Sequence, residues 1–256
     1  MVNHTLTRST SLFASTVAVF LFASSAFAAT EIKLGWTTSD SEVDPYAIAA
    51  RYFAEELENA APGEFDVSFF PNHQLGNDTA MLEGLQFGTM DAGVITGTQV
   101  GQLETLKRLE AQGIIGLGFA EAGFRHTINN LRPVAKPDDF KGIKLRVQPS
   151  DLFIDSFRAI GANPTPMAWS DVFTAVQQGT VDGLEIPLAV IFANKYPEVT
   201  KYLSLTNHTY NALALLISKD VFDGLSEELQ DAVGEAAKHA IERQRATVAA
   251  NEKDIL

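Results

Sequence analysis

The sequence predicts an α/β protein built on largely parallel sheets. Short apolar runs alternate with helical patterns along most of the chain. Turn signals such as Pro62-Gly63 separate them, and hydrophobic residues make up 46% of the 256 positions, enough for a sizeable core.

Ile32–Trp36 reads as the first strand. Tyr46–Ala61 is predicted helical because Ile48, Tyr52, Phe53, Leu57 and Ala60 fall on one face, and Pro62-Gly63 stops it. Phe65–Phe70 is a strand, Asp78–Phe87 a helix with Met81, Leu82 and Leu85 inward, and Asp91–Thr96 a third strand running into a Gly-rich turn. A second unit starts with strand Ile114–Phe119 and continues through strand Ile143–Val147, helices Asp151–Ile160 and Asp171–Gln178, and strands Val181–Glu185 and Tyr202–Leu205. Leu213–Ser218 is a further strand. From Ser226, a good helix cap, a long helix runs to Leu256, with Leu229, Val233, Ala236, Ala240 and Ile241 on its buried face.

The N-terminus has the layout of an export signal. His4 and Arg8 precede an uncharged stretch, Leu12–Ala23, which ends in Ser24-Ser25 and the small-residue triplet Ala26-Phe27-Ala28. An apolar core of about a dozen residues is short against the roughly 20 needed to span a bilayer, so a cleaved signal peptide over 1–28 is expected rather than an anchor.

Composition excludes several functions. With 19 basic against 32 acidic residues the net charge is −13, which argues against nucleic acid or an anionic membrane as partner. Removing Arg8 leaves 18 against 32, a net of −14. The chain has no cysteine, so disulfides, thiolate nucleophiles and zinc-thiolate sites are ruled out. The five histidines show no metal-ligand spacing, and there is no nucleophile elbow or P-loop. Gly116-Leu117-Gly118 lacks the third glycine of a dinucleotide turn, because position 121 is Glu. No catalytic residue, cofactor or metal site is expected.

One stretch reverses the charge: Arg125–Arg146 holds six basic residues and only Asp138 and Asp139 as acids. It is either a seat for a small anion or a solvated face. Within it, Arg146 sits at the carboxyl end of a strand, just before Gln148-Pro149-Ser150 opens a helix. Period two places Lys144 and Arg146 opposite Ile143, Leu145 and Val147. Open α/β sheets bind ligands at such strand ends, and a guanidinium matches a carboxylate as a planar fork. A surface ion pair is the competing reading of Arg146.

The motifs carry a resemblance. Gly123-Phe-Arg-His126, Lys141-Gly-Ile-Lys-Leu-Arg-Val147, Gly161-Ala-Asn-Pro-Thr-Pro-Met-Ala-Trp-Ser-Asp-Val-Phe-Thr-Ala-Val-Gln-Gln-Gly179 and Val181-Asp-Gly183 resemble the solute receptors of tripartite ATP-independent periplasmic (TRAP) transporters. Pro71-Asn-His-Gln-Leu-Gly76 and Gly88-Thr-Met-Asp91 fit the same family. The resemblance implies a two-lobed periplasmic binding fold of type II-like architecture, each lobe a mixed sheet flanked by helices with the ligand cleft between them. The implied boundaries are 29–123 with 212–251 for lobe I and 124–211 for lobe II. It also implies a non-catalytic receptor that closes on a small organic acid and delivers it to membrane permease subunits. By the same resemblance Arg146 pairs with the ligand carboxylate, Arg125 is a second cleft arginine and Trp169 lies near the ligand, where ordinary core packing is the alternative. Trp36, at the head of the loop to Asp44, and Thr96 reach the cleft from the other lobe.

Three departures accompany the likeness. Where many members read Asp-Gly-Gln-Glu-Asn-Pro, this chain reads Asp182-Gly-Leu-Glu-Ile-Pro187, so Ile186 replaces a donor and an apolar wall favouring a less hydroxylated acid is expected. The first lobe is shortened near 100–110, and the terminal bracing helices are expected to be missing after 256. Two other classes fit the same sequence: a binding protein for sensing or scavenging without transport, and an exported α/β hydrolase.

Overall fold

The computed structural model describes residues 29–97 and 106–256. The signal segment 1–28 lies outside them, as do residues 98–105 within the stretch read as shortened.

The strands are β1 (Thr30–Trp36), β2 (Phe65–Phe70), β3 (Ala92–Thr96), β4 (Ile114–Asn129), β5 (Lys144–Val147), β6 (Asn163–Pro166), β7 (Gly183–Pro187) and β8 (Tyr202–Ser218). The helices are α1 (Pro45–Ala60), α2 (Asp78–Phe87), α3 (Leu106–Glu110), α4 (Asp151–Ala159), α5 (Trp169–Gln177), α6 (Leu188–Ala193), α7 (Lys219–Asp223) and α8 (Glu227–Ile255). Two single 3₁₀ turns, Pro137–Phe140 and Tyr196–Glu198, complete the described elements.

All eight strands join one mixed sheet in the order β2-β1-β3-β8-β4-β7-β5-β6. The expected parallel character holds only at its two ends, where β1 pairs with β2 and β3, and β5 with β6 and β7. Through the middle, the pairs β3–β8, β8–β4 and β4–β7 are antiparallel. What reads in sequence as strand 114–119 continues to Asn129, and the runs 202–205 and 213–218 are one strand. Gly118 (φ 155°) and Gly123 (φ 90°) border register shifts in the β4–β8 ladder, where bulges bend both strands without ending them. The chain can thus pass twice from one end of the sheet to the other on hydrogen-bonded ribbon.

Alternation then sorts the cores. Leu213, Leu215 and Ile217 of β8 face the large cluster under α1 and α8, while Ala214 and Leu216 face a smaller one built on Met81, Leu82 and Leu85 of α2. At the far end Ile143, Leu145 and Val147 pack on Phe153 and Phe157 of α4.

Caps fix the helix starts. Asp44 accepts from the backbone N–H groups of Tyr46 (2.9 Å) and Ala47, with Pro45 in the first turn, so α1 begins one residue before the predicted start. Ala60, expected inward, is exposed. Ser226 caps α8, which buries Val233, Ala236, Ala240 and Ile241 as predicted. Its Gln244 is fully buried: the amide nitrogen donates to the carbonyls of Pro45 (3.1 Å) and Glu121 (2.6 Å), and the oxygen accepts from the Glu121 N–H (3.1 Å). No helix among the described residues is long and apolar enough to cross a membrane.

Candidate functional site

Leu145 and Val147 bury one face of β5 in the α4 core, so Arg146 must project from the other, at the strand's carboxyl end. It emerges into a narrow cleft. Arg146 is 2% exposed. Its Nε and Nη2 donate to the Met167 carbonyl at 3.1 and 2.8 Å, and it lies 5.7 Å from the centre of the Trp169 ring. No carboxylate forms an ion pair with it among the described residues. Burial pushes the Arg146 pKa down to about 10, and the charge of Glu185 works against that fall, so Arg146 is a cation at neutral pH.

Arg125, on β4, reaches the same cleft but is spoken for. Glu185 of β7 takes it in a two-pronged pair, Nε to Oε2 at 2.5 Å and Nη2 to Oε1 at 2.8 Å, and both residues are buried. Nη2 also donates to the Glu185 carbonyl, and Nη1 to Asn211 Oδ1 at 3.0 Å. His208 Nε2 lies 3.1 Å from Glu185 Oε2, and His208 Nδ1 lies 2.8 Å from the Thr206 hydroxyl. Burial pushes the Glu185 carboxyl up, but the Arg125 charge and the His208 hydrogen bond outweigh it and hold it below the usual carboxylate range. One of the two cleft arginines therefore sits in an ion pair with a buried carboxylate, and the other, among the described residues, has no carboxylate in contact.

This divides the basic stretch 125–146. Lys141 pairs with Asp138 in solvent, Lys144 is exposed, and Arg132 donates to the carbonyls of Asp139 and Lys141. Those residues make a solvated face. Only Arg125 and Arg146 line the cleft.

Thr96, at the end of β3, and Ile186, on β7, also line it, as does Trp169 at the start of α5. The Trp169 ring packs in addition on Tyr196 at 5.5 Å, so it belongs to the core and the cleft at once. Trp36 does not line the cleft. Alternation on β1 turns it into the main core with no exposure, edge-on to Phe69 at 5.8 Å, while the next residues, Thr37 and Thr38, line the cavity in its place.

Sequence reasoning passed over Tyr46, Asn77, Asp78 and Thr79, which face the cleft from the β1 side, and Gln148, Pro149 and Ala168, which face it from the β5 side. Asp78 reads in sequence as a helix start, and Asn77 caps that helix, accepting from the Ala80 N–H at 3.0 Å. Nothing local distinguishes a capping acid from a cleft acid. Ile186 does make an apolar wall, but Thr37, Thr38, Thr96, Asn77 and Thr79 keep the cleft rich in hydroxyl and amide groups. No group of three or more His, Asp or Glu able to hold a metal occurs among the described residues.

The model of the bacterial extracellular solute-binding protein family 7, DctP, matches residues 37–105 and 98–256. The chain belongs to this family. The two DctP matches meet at 98–105, inside the stretch that reads as shortened. A DctP relative, the 2,3-diketo-L-gulonate-binding periplasmic protein of Escherichia coli, is 33% identical over 92% of this chain and 80% of its own length. A TRAP periplasmic solute-binding protein from Bordetella bronchispeptica, its ligand density assigned as pantoate, superposes with a TM-score of 0.82 at 36% identity, covering 88% of this chain and 83% of that one. Another, from Polaromonas sp. JS666 and bound to D-erythronate, gives 0.83 at 33% identity over 88% and 83%. The DctP family and these relatives are binding proteins, and the fold is the two-lobed one of TRAP periplasmic receptors.

Proposed function

We propose that this chain is a periplasmic, non-catalytic receptor that binds a small organic acid by its carboxylate and delivers it to the membrane permease subunits of a TRAP-type secondary transporter. One observation carries the reading: Arg146 is a buried cation at the cleft with no counter-charge in contact among the described residues. Leaving a desolvated charge unpaired costs several kcal/mol, so the cleft favours an anion there. The carbonyl of Met167 and the Trp169 ring hold the fork in place before the ligand arrives, which limits what binding costs in ordering.

Lobe I is proposed to comprise 29–123 and 212–251, and lobe II 124–211, with β4 and β8 crossing between them. Bulges at Gly118 and Gly123 suit those crossings to bending. Thr37, Thr38 and Thr96 come from one side of the cleft and Arg146 and Trp169 from the other. A ligand touching both sides binds the closed form better than the open one, and that difference drives closure. Export by cleavage after Ala28 places the receptor in the periplasm.

The test is calorimetric titration of the exported chain with a panel of small organic acids, alongside Arg146→Ala. The proposal expects at least one acid to bind, with affinity cut about tenfold to a hundredfold in the variant. An acid that binds both proteins equally well would remove Arg146 from the account, and turnover of the bound acid would make the protein an enzyme.

A further inference from the structure

The loop between β1 and α1 meets the end of α6 in a polar cluster that the anchoring of a carboxylate does not use. Asp44 is fully buried at its centre, and its two oxygens serve different elements. Oδ1 accepts from the Thr38 hydroxyl at 2.7 Å and from the Tyr46 and Ala47 N–H groups, the cap of α1. Oδ2 accepts from the Asn194 amide at 3.3 Å. Asn194 is held in turn: its Oδ1 accepts from the Ser39 N–H at 3.1 Å, and its Nδ2 also donates to the Val190 carbonyl at 2.9 Å. A donor on one side and an acceptor on the other fix which way the amide points. The Ser39 hydroxyl donates to the Ala193 carbonyl at 3.2 Å. Burial pushes the Asp44 carboxyl up to about 6 against the pull of these donors, so at pH 7.5 it is ionised and both oxygens accept. Ser39 and Asp44 belong to the proposed lobe I, and Ala193 and Asn194 to the proposed lobe II. Of the whole cluster, only Thr38 lines the cleft.

We infer that Ser39, Asp44 and Asn194 form a latch between the lobes, which touches no ligand and stabilises the closed arrangement against opening. The inference rests on the reading of the protein as a receptor whose two lobes close. Parting α6 from the loop breaks three hydrogen bonds at once: Ser39 N–H to Asn194, Ser39 hydroxyl to Ala193, and Asn194 to Asp44. It also leaves the buried Oδ2 of Asp44 without its amide donor, which is costly for an ionised acceptor. The latch therefore works on the closing equilibrium alone. A ligand that needs the closed form binds with an apparent affinity scaled by the share of molecules able to close on it, and the latch raises that share. The Thr38 hydroxyl joins the latch to the cleft wall, so the loop that meets the ligand is the loop that meets α6. Beyond Asn194 the chain turns through Lys195 in a left-handed conformation, φ 58°, which a residue other than glycine adopts only under constraint.

The experiment measures the separation of the lobes and the affinity together. The chain has no cysteine, so Glu83→Cys on α2 and Asp155→Cys on α4, both exposed, place one spin label on each lobe for electron–electron distance measurement. The exported chain is studied at pH 7.5, alone and with D-erythronate, D-gluconate or succinate, and the same acids are titrated by calorimetry. Two variants open the latch. Asn194→Ala removes it from the α6 side. Asp44→Asn keeps an oxygen for the α1 cap, since Asn caps as well as Asp, but turns an amide N–H toward the amide N–H of Asn194. In both, the affinity for an acid that binds should fall roughly tenfold, the worth of one or two such hydrogen bonds, and any short separation in the free protein should lose share to the long one. At saturation the short separation should return, which a general loss of structure would not allow. Affinity and separations unchanged in both variants overturn the latch and leave the receptor reading standing, as does a bound acid that leaves the separation of the unmodified chain unchanged. If no acid binds, the receptor reading falls, and the free-protein separations decide the latch: a shift in the variants supports it and identical distributions overturn it.

Discussion

Replacing Glu185 with Gln removes the charge that balances Arg125 while keeping the shape of the side chain. Both groups are almost wholly buried, and Glu185 accepts two guanidinium hydrogen bonds, at 2.5 and 2.8 Å. Breaking such a pair from one side leaves an uncompensated buried cation, a loss of about 3 to 5 kcal/mol. At 2 to 4 °C per kcal/mol for a chain of this size, the melting temperature should fall by roughly 6 to 20 °C. The assay is thermal and urea unfolding of the exported chain, unmodified and Glu185→Gln, at several pH values. The pH series adds a sign. Because the folded carboxyl is held below its ordinary value, its contribution is present above the unfolded pKa and is lost as pH falls through the folded one. The deficit of the variant should therefore be full at neutral pH and shrink only in strong acid. A loss under about 1 kcal/mol at pH 7, or a deficit that grows as pH falls, would refute the claim that Glu185 exists to neutralise Arg125.

Other consequences are more local. Gly183→Ala would place a methyl 2.1 Å from the Ile128 carbonyl oxygen across the β4–β7 ladder, so soluble protein of unchanged melting temperature would contradict the pairing. Gln244→Leu strips three hydrogen bonds tying α8 to β4 and the start of α1, and should cost about 2 to 4 kcal/mol in urea unfolding. Asp78 has its pKa raised by burial to about 6, so its contribution is full below the unfolded value near 3.8 and is lost as pH rises to 6. Asp78→Asn should flatten the ligand-free stability curve across that window, which a pH series of melting temperatures reads directly.

How legible the molecule is in its sequence depends on the range of the forces involved. Helix α2 matches its predicted bounds and α8 follows its Ser226 cap, because capping and 3.6-residue periodicity act within a few residues. The long strands β4 and β8 are misread as fragments because Gly118, Gly123 and the polar run 206–211 interrupt the alternation. What holds those stretches extended is pairing between segments some 80 residues apart, such as Arg125 with Thr209. Strand β6 escapes because Pro164 and Pro166 argue against a strand, and only its place at the sheet edge makes them acceptable. The site divides in the same way. Arg146 could be picked out from its position at a strand end, whereas the neutralisation of Arg125 depends on Glu185, 60 residues away, and the cleft role of Asp78 on the packing of β3 beside α2. Trp36 misleads because the strand ends on it, and one residue further along the alternation the chain reaches the cleft.

The central claim is that Arg146 receives a carboxylate, and thermal unfolding with matched pairs of ligands, each acid beside its primary amide, tests it most directly. At 100 times its dissociation constant a bound acid adds about 2.7 kcal/mol, or roughly 5 to 10 °C. The account predicts that shift for the acid, little for the amide, and none for either in Arg146→Ala. An amide that stabilises as well as its acid, or a shift that survives in Arg146→Ala, would contradict it.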